Sequence, residues 1–294
     1  MTIPLVIPLP GNEVLAGHLC AFGNVELGKL EMRAFPDQET YLRFPESPSD
    51  RNVVLVDTLA DPNGKILPLL FAARTARELG ARRVGLLAPY LGYMRQDMRF
   101  HPGEAVTSRH FASLISADFD WLITIDPHLH RYRALEEIYT IPARALHAAP
   151  LLAAWIGRNV VRPFLIGPDA ESEQWVSGIA KACGADYCVL RKERLGDRDV
   201  RIAAEGLRLP DETQPIMVDD VISSGRTMEE AVRVAAGRGR KPLALAVHGI
   251  FAENADARIM AAGAIRLVTA NTIPHSSNEI DIAPLLVPEL AAMF

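Results

Sequence analysis

The residues of this chain best suited to chemistry stand in one run, Ile216 to Glu230. An apolar stretch leads to Asp219 and Asp220, then to Ser223-Ser224-Gly225, and then to Thr227, three residues before Glu230. The apolar opening reads as a buried parallel strand. Thr227 and Glu230 have the spacing of a capping box. Met228, Ala231, Val232 and Ala235 follow at i, i+3, i+4 and i+7, one face of a helix. Backbone N–H groups of residues 223–227 would then converge at a helix N-terminus, where the dipole and unpaired donors hold a phosphate. Asp219 and Asp220 repel phosphate but suit sugar hydroxyls, or a metal bridged to them. Phosphate on one side and diol-binding acids on the other describe a ribose 5-phosphate site. An ordinary strand–turn–helix with solvated acids is the simpler alternative. The acids, the small-residue loop and the cap occurring together favour the site.

Other stretches carry chemistry more weakly. Phe35 to Tyr41 is a turn with Asp37 and Glu39 between aromatic flanks, and alone it reads as a solvated turn. Pro89 to Glu104 is a long irregular segment containing Arg95, Gln96, Asp97 and Arg99. Such segments are costly to order and usually functional, and cations with amides and rings fit a nucleoside triphosphate. Trp121 to Ile125 runs as a strand into Asp126-Pro127-His128-Leu129-His130. A carboxylate and an imidazole there can hold a divalent metal that carries phosphates, or can simply lie on the surface. Asp169 stands at another strand end before a helix start, suited to the region of a pyrophosphate group if a metal intervenes. Lys192 and Arg194, two residues apart on an extended segment, share a side. They read either as a charged edge or as the pair of cations that a migrating phosphoryl group requires.

The elements that must position these residues repeat. Asn52 to Asp57 is an apolar strand ending in an acid. A loop to Gly64, a helix with Ile66, Leu69, Leu70 and Ala73 on one face, and a strand Val84 to Ala88 follow. The second half gives the same order around Asp219, a helix from Thr227 to Ala236 and a strand Leu243 to Val247. Strands alternating with helices mean βαβ units and parallel sheets. The expectation is an α/β chain of two tandem modules, each a mostly parallel sheet flanked by helices. The joint falls near Ile141–Pro150, giving domains 1–145 and 146–294. The 294 residues suit two domains at roughly 150 residues each. A net charge of −5 gives no basic field for nucleic acid. Cys20, Cys183 and Cys188 form neither a disulfide framework nor a zinc pattern. The amino-terminal apolar run is broken by proline and reads as a first strand, and no run approaches the roughly 20 residues of a membrane span. A cytoplasmic protein is expected, with no membrane partner.

Taken in order, these segments resemble the ribose-phosphate pyrophosphokinase family of the type I phosphoribosyltransferase superfamily, and the compact archaeal-type branch in particular. The resemblance implies two tandem phosphoribosyltransferase-like domains, ATP on the first and ribose 5-phosphate on the second. It implies ATP contacts from Phe35, Asp37 and Glu39, reaching across a subunit interface, and from Arg95, Gln96 and Asp97. Mg²⁺ near His128 and Asp169 is implied, with Lys192 and Arg194 as the catalytic pair. Asp219, Asp220, Ser223, Ser224, Gly225, Arg226 and Thr227 would bind ribose 5-phosphate. The implied reaction transfers the diphosphoryl group of MgATP to the 1-hydroxyl of ribose 5-phosphate, in a homo-oligomer of at least two subunits. Asn271 to Pro274 and Asp281 to Leu286 match the closing segments of the family. Departures are Gln38 in place of a glycine, Glu193 within the basic run, Glu171-Ser172 in the pyrophosphate-side loop, and a short segment after Arg194. A nucleobase phosphoribosyltransferase would share the sugar motif without needing the other segments. A non-catalytic regulatory homologue should have lost catalytic positions that are present here.

Overall fold

The structure, a computed structural model, describes residues 3–129, 131–194, 200–203 and 209–294. The side chains of residues 171, 174, 191–194 and 200–203 lie outside that description. The chain divides into two compact units, Met1–Leu146 with Ala283–Phe294, and His147–Ile282.

In the first unit the strands are β1 (Leu5–Pro8), β2 (Glu26–Leu27), β3 (Glu31–Ala34), β4 (Thr40–Arg43), β5 (Asn52–Val56), β6 (Arg83–Ala88), β7 (Trp121–Ile125) and β8 (Ala143–Leu146). Helices α1 (Glu13–Phe22), α2 (Ile66–Glu78) and α3 (Thr107–Asp118) connect them. Six strands form a sheet in the order β2-β1-β5-β6-β7-β8, every pairing parallel. The strands are near-continuous Val, Leu and Ile because helices cover both faces, and Val53 to Val56 are buried throughout. Gly85 lets the Trp121 indole lie against β6, since a Cβ there would sit 1.9 Å from the ring. The antiparallel pair β3–β4 stands apart from the sheet.

The second unit holds α4 (Ala149–Asn159), β9 (Pro163–Gly167), α5 (Glu173–Cys183), β10 (Asp186–Val189), β11 (Arg191–Arg194), β12 (Val200–Ala203), β13 (Gln214–Ile222), α6 (Arg226–Ala236), β14 (Leu243–Gly249), α7 (Ala255–Ala261), β15 (Arg266–Ala270) and β16 (Asn278–Ile280). Its sheet order is β10-β9-β13-β14-β15-β16, again all parallel, with β11–β12 an antiparallel pair outside it. With the hairpins set aside, both sheets run second-first-third-fourth-fifth-sixth, and both hairpins follow the second strand. The repeat read from the sequence is therefore a repeat of topology.

Such an order reverses direction beside the first strand, and the crevice outside the carboxyl ends of the strands there is where open α/β sheets bind ligands. In the first unit it lies between β1 and β5, in the second between β9 and β13. The last helix, α8 (Ala283–Ala292), is grouped with the first unit. Its Leu286 and Leu290 are buried, it packs on α1, and Arg83 Nη1 donates to the Met293 carbonyl at 2.7 Å. The division by contacts thus falls after Leu146 and gathers Ala283–Phe294 with the first unit, whereas the sequence kept 146–294 together.

Candidate functional site

The second unit's crevice is built by unequal strand lengths. β13 pairs with β9 only as far as Met217 opposite Ile166, while it continues beside β14 to Ile222 opposite Gly249. Asp219 to Ile222 therefore overhang the end of β9, whose chain has turned away through Pro168 to Asp169. Ser172 holds that turn, its Oγ donating to the Asp169 carbonyl at 2.6 Å. The Asp220 N–H donates to Asp219 Oδ1 at 3.0 Å.

The loop that follows is shaped by backbone rather than by a side-chain cap. Gly225 is the N-cap of α6, with φ +69°, and no side chain among the described residues caps the helix. This corrects the capping box: Thr227 lies inside the first turn, not before it, and Glu230 is held by Arg233. A left-handed residue disfavours any L side chain here, and a Cβ on Gly225 would also lie 2.6 Å from the Ala255 Cβ. The first turn of α6 therefore has no side-chain cap among the described residues. The buried face of α6 is Met228, Ala231, Val232 and Ala235, as expected.

Arg258 on α7 was not singled out from the sequence. Its guanidinium donates to the carbonyls of Ser224 and Glu253, and its Nε lies 3.0 Å from Glu229 Oε2. Glu229 also pairs with Arg233 at 2.6 Å, and these cations hold its carboxyl below the usual range. Arg258 so fixes Ser224 from behind while its charge is largely answered by Glu229. Nothing in sequence spacing could reveal a contact across 34 residues. Arg226 is exposed and ion-paired with Glu253 at 3.5 Å.

The acids are electrostatically crowded. Burial, then the charge of Asp220, then that of Asp169 push the Asp219 carboxyl well above the ordinary carboxylate range. A cation or a set of hydroxyl donors would relieve that crowding. The donors are hard oxygens, the set that suits a divalent cation shared with phosphates. Among the described residues, no three His, Cys, Asp or Glu side chains close on one point to hold a metal alone.

In the first unit, the β3–β4 turn carries Phe35, Asp37 and Glu39. The Phe35 N–H donates to the Glu39 carbonyl at 2.7 Å, and the Glu39 N–H to Asp37 Oδ1 at 3.3 Å. Arg33 lies over both the Phe35 and Tyr41 rings, at 4.6 and 4.5 Å. Gln38 has φ +73°, which explains why a glycine suits that position and what its replacement strains. Arg95 is exposed, and the Gln96 carbonyl accepts from the Ser108 N–H at 3.3 Å. The buried Asp97 is taken up by Arg131, at 2.9 and 3.1 Å, so it braces this segment internally. Asp126 and His128 follow β7, with Asp126 at φ +35°. His130 lies outside the described residues. Lys192 and Arg194 stand on β11, paired in register with Ile202 and Val200 of β12, and their side chains lie outside the description.

The first unit's own crevice is built differently. Asp57, the counterpart acid after β5, is buried, and its Oδ2 has no hydrogen-bond partner among the described residues. Burial pushes its carboxyl up to about 7, against the opposing influence of Lys65 and Asn12. Lys65 Nζ donates to the Thr58 carbonyl at 2.6 Å, and the Thr58 N–H donates to Asn12 Oδ1 at 3.0 Å.

An acid pair overhanging a glycine-capped helix start, on a module present twice, defines a transferase of the phosphoribosyltransferase fold class. A family model for the N-terminal domain of ribose phosphate pyrophosphokinase matches residues 5–118, and one for the phosphoribosyl transferase domain matches residues 134–272. The ribose-phosphate pyrophosphokinase of Sulfolobus acidocaldarius is 35% identical over 263 residues, spanning 87% of this chain and 88% of its own. That of Methanopyrus kandleri is 34% identical over 268 residues and spans 89% of each. The crystal structure of phosphoribosylpyrophosphate synthetase from Mycobacterium smegmatis shares the fold, with a TM-score of 0.82 at 22% identity over 100% of this chain and 99% of that one. The chain belongs to the ribose-phosphate pyrophosphokinase family. A stand-alone nucleobase phosphoribosyltransferase is set aside by the match to the family's N-terminal domain. Among the described residues no helix is long and apolar enough to cross a membrane.

Proposed function

We propose that this enzyme transfers the diphosphoryl group of ATP to the 1-hydroxyl of ribose 5-phosphate, giving phosphoribosyl pyrophosphate and AMP. The observation that carries this reading is the overhang of Asp219 and Asp220 beside the Gly225-capped start of α6. The 5-phosphate would take the N–H groups of residues 223–227 with Ser223, Ser224 and Thr227, and the ribose diol would take the two acids. Arg226, exposed at the rim, would add charge to the phosphate. The sugar's 1-hydroxyl oxygen bonds to the β-phosphorus, the bond from that phosphorus to the α,β-bridging oxygen breaks, and the hydroxyl proton departs. ATP would lie on Arg95 and Gln96, with Phe35, Asp37 and Glu39 supplied by a neighbouring subunit of a homo-oligomer. Asp97 supports that segment through Arg131. Lys192 and Arg194 would meet the charge that shifts as the group moves, an electrostatic and positional role typical of phosphoryl transfer.

Asp169 and His128 are the residues proposed to hold Mg²⁺, which when bound neutralises phosphate charge and orients the polyphosphate. The crowded acids of the second unit fit that group, because a divalent cation shared with the substrate would offset their mutual repulsion. Work in the cytoplasm accords with three cysteines that are all free.

Purified protein with ATP, ribose 5-phosphate and Mg²⁺ should yield AMP and phosphoribosyl pyrophosphate by phosphorus NMR. Appearance of ADP and inorganic phosphate in their place would refute diphosphoryl transfer.

A further inference from the structure

The first unit contains a cavity of about 350 Å³ at the edge of its sheet opposite the crevice. Ile3 and Pro4 precede β1, Asn52 opens β5, and Arg82 and Arg83 open β6, and all of them line it. The strands are parallel, so these residues share the amino-terminal edge, while crevice chemistry belongs to the carboxyl edge. The cavity is within the usual size range of small-molecule sites, about 300–1,000 Å³.

Its two sides differ in chemistry. One wall is apolar and comes from α1 and α8, through Leu19, Val287 and Leu290. The other presents Asn52, Arg82 and Arg83. Arg83 spends one N–H on the neutral Met293 carbonyl, and neither arginine has a carboxylate partner among the described residues. Glu26, next to the lining residue Val25, is already engaged by Arg51 at 2.6 Å. Asp120, ahead of β7, is engaged by Arg77 at 3.0 Å. Two cations are thus left unanswered at the rim of an apolar hollow.

We propose that this cavity is a second ligand site, separate from that of the reaction, for a small amphipathic anion. Its apolar or aromatic body lies on the α1–α8 wall, and its carboxylate, sulfonate or phosphate meets Arg82 and Arg83. Charge-assisted contacts to guanidinium groups orient such an anion, and the apolar wall supplies area burial.

The probe is 1-naphthalenesulfonate, titrated calorimetrically into the full chain with ribose 5-phosphate and AMP present to occupy the reaction site. One equivalent should bind per chain. Arg82→Gln should raise the dissociation constant about ten-fold, the effect of losing one charged contact. Val287→Trp, which places a ring in the hollow, should abolish binding. Both variants should turn over substrate as the unaltered enzyme does. Arg82 is exposed and makes no side-chain hydrogen bond among the described residues, so its variant keeps the test decisive if Val287→Trp misfolds. Neutral 1-naphthalenemethanol should bind at least about ten-fold more weakly. No saturable binding, a dissociation constant equal in wild type and Arg82→Gln, or displacement of the probe by ribose 5-phosphate would each overturn the proposal.

Discussion

Replacing Gly225 with alanine tests what shapes the loop proposed to hold the 5-phosphate. Gly225 has φ +69°, and an added Cβ would lie 2.6 Å from the Ala255 Cβ and 3.3 Å from Ile259 Cδ1. The left-handed conformation costs an alanine about 1–2 kcal/mol. Forcing a methyl into a filled contact typically costs about 1–3 kcal/mol more. The sum, roughly 2–5 kcal/mol, is a large part of a domain's total stability of about 5–15 kcal/mol. Relief requires α7 to retreat, and α7 carries the Arg258 that holds the Ser224 carbonyl. The loop should therefore shift as well as weaken. A misplacement of about 1 Å can cost on the order of 10² in rate, so the KM for ribose 5-phosphate should rise strongly while that for ATP stays nearly constant. Urea unfolding and steady-state kinetics measure the two effects. Adding Ala255→Gly should remove the clash and return about 1–3 kcal/mol, leaving the backbone cost, and a double-mutant cycle reads the coupling directly. If Gly225→Ala keeps wild-type stability and KM, neither the left-handed cap nor the close approach shapes this loop.

Asp57→Asn should make the protein more stable at pH 8 and flatten its pH dependence. The folded carboxyl titrates at about 7 against an ordinary 3.8, so the native state binds the extra proton between those values. Stability is then lost as pH rises from about 4 through 7, by at most ~4 kcal/mol at ~1.4 kcal/mol per unit. Equal slopes in the urea midpoints of the two proteins from pH 5 to 8 would refute this. Asp219→Asn with Asp220→Asn should raise the KM for ribose 5-phosphate far more than that for ATP, and an equal loss of both would point to a shared metal. Lys192→Ala should lower kcat on the order of 10²–10³-fold with both KM values nearly unchanged, because a contact made mainly in the transition state acts on kcat. Undiminished turnover would remove Lys192 from the reaction.

Local pattern determined much of this protein. Apolar runs marked β5, β6, β7, β13 and β14, because strands covered on both faces must be apolar along their length. The i, i+3, i+4, i+7 spacing of Met228, Ala231, Val232 and Ala235 fixed the buried face of α6. The order of acid, small-residue loop and helix located the candidate site. Tertiary structure decided what those patterns meet. The Thr227–Glu230 spacing looks like a cap, yet Gly225 starts the helix, because the turn must pass Ala255 too closely for a side chain. The overhang of Asp219 and Asp220 depends on where β9 stops in register, which neither strand records alone. Arg258 reaches Ser224 from a distant helix, and α8 lies with the first unit although it follows the second in the chain. Periodicity says which face of an element is buried, but its partner, its register and the charge around a buried acid arise only when distant segments pack.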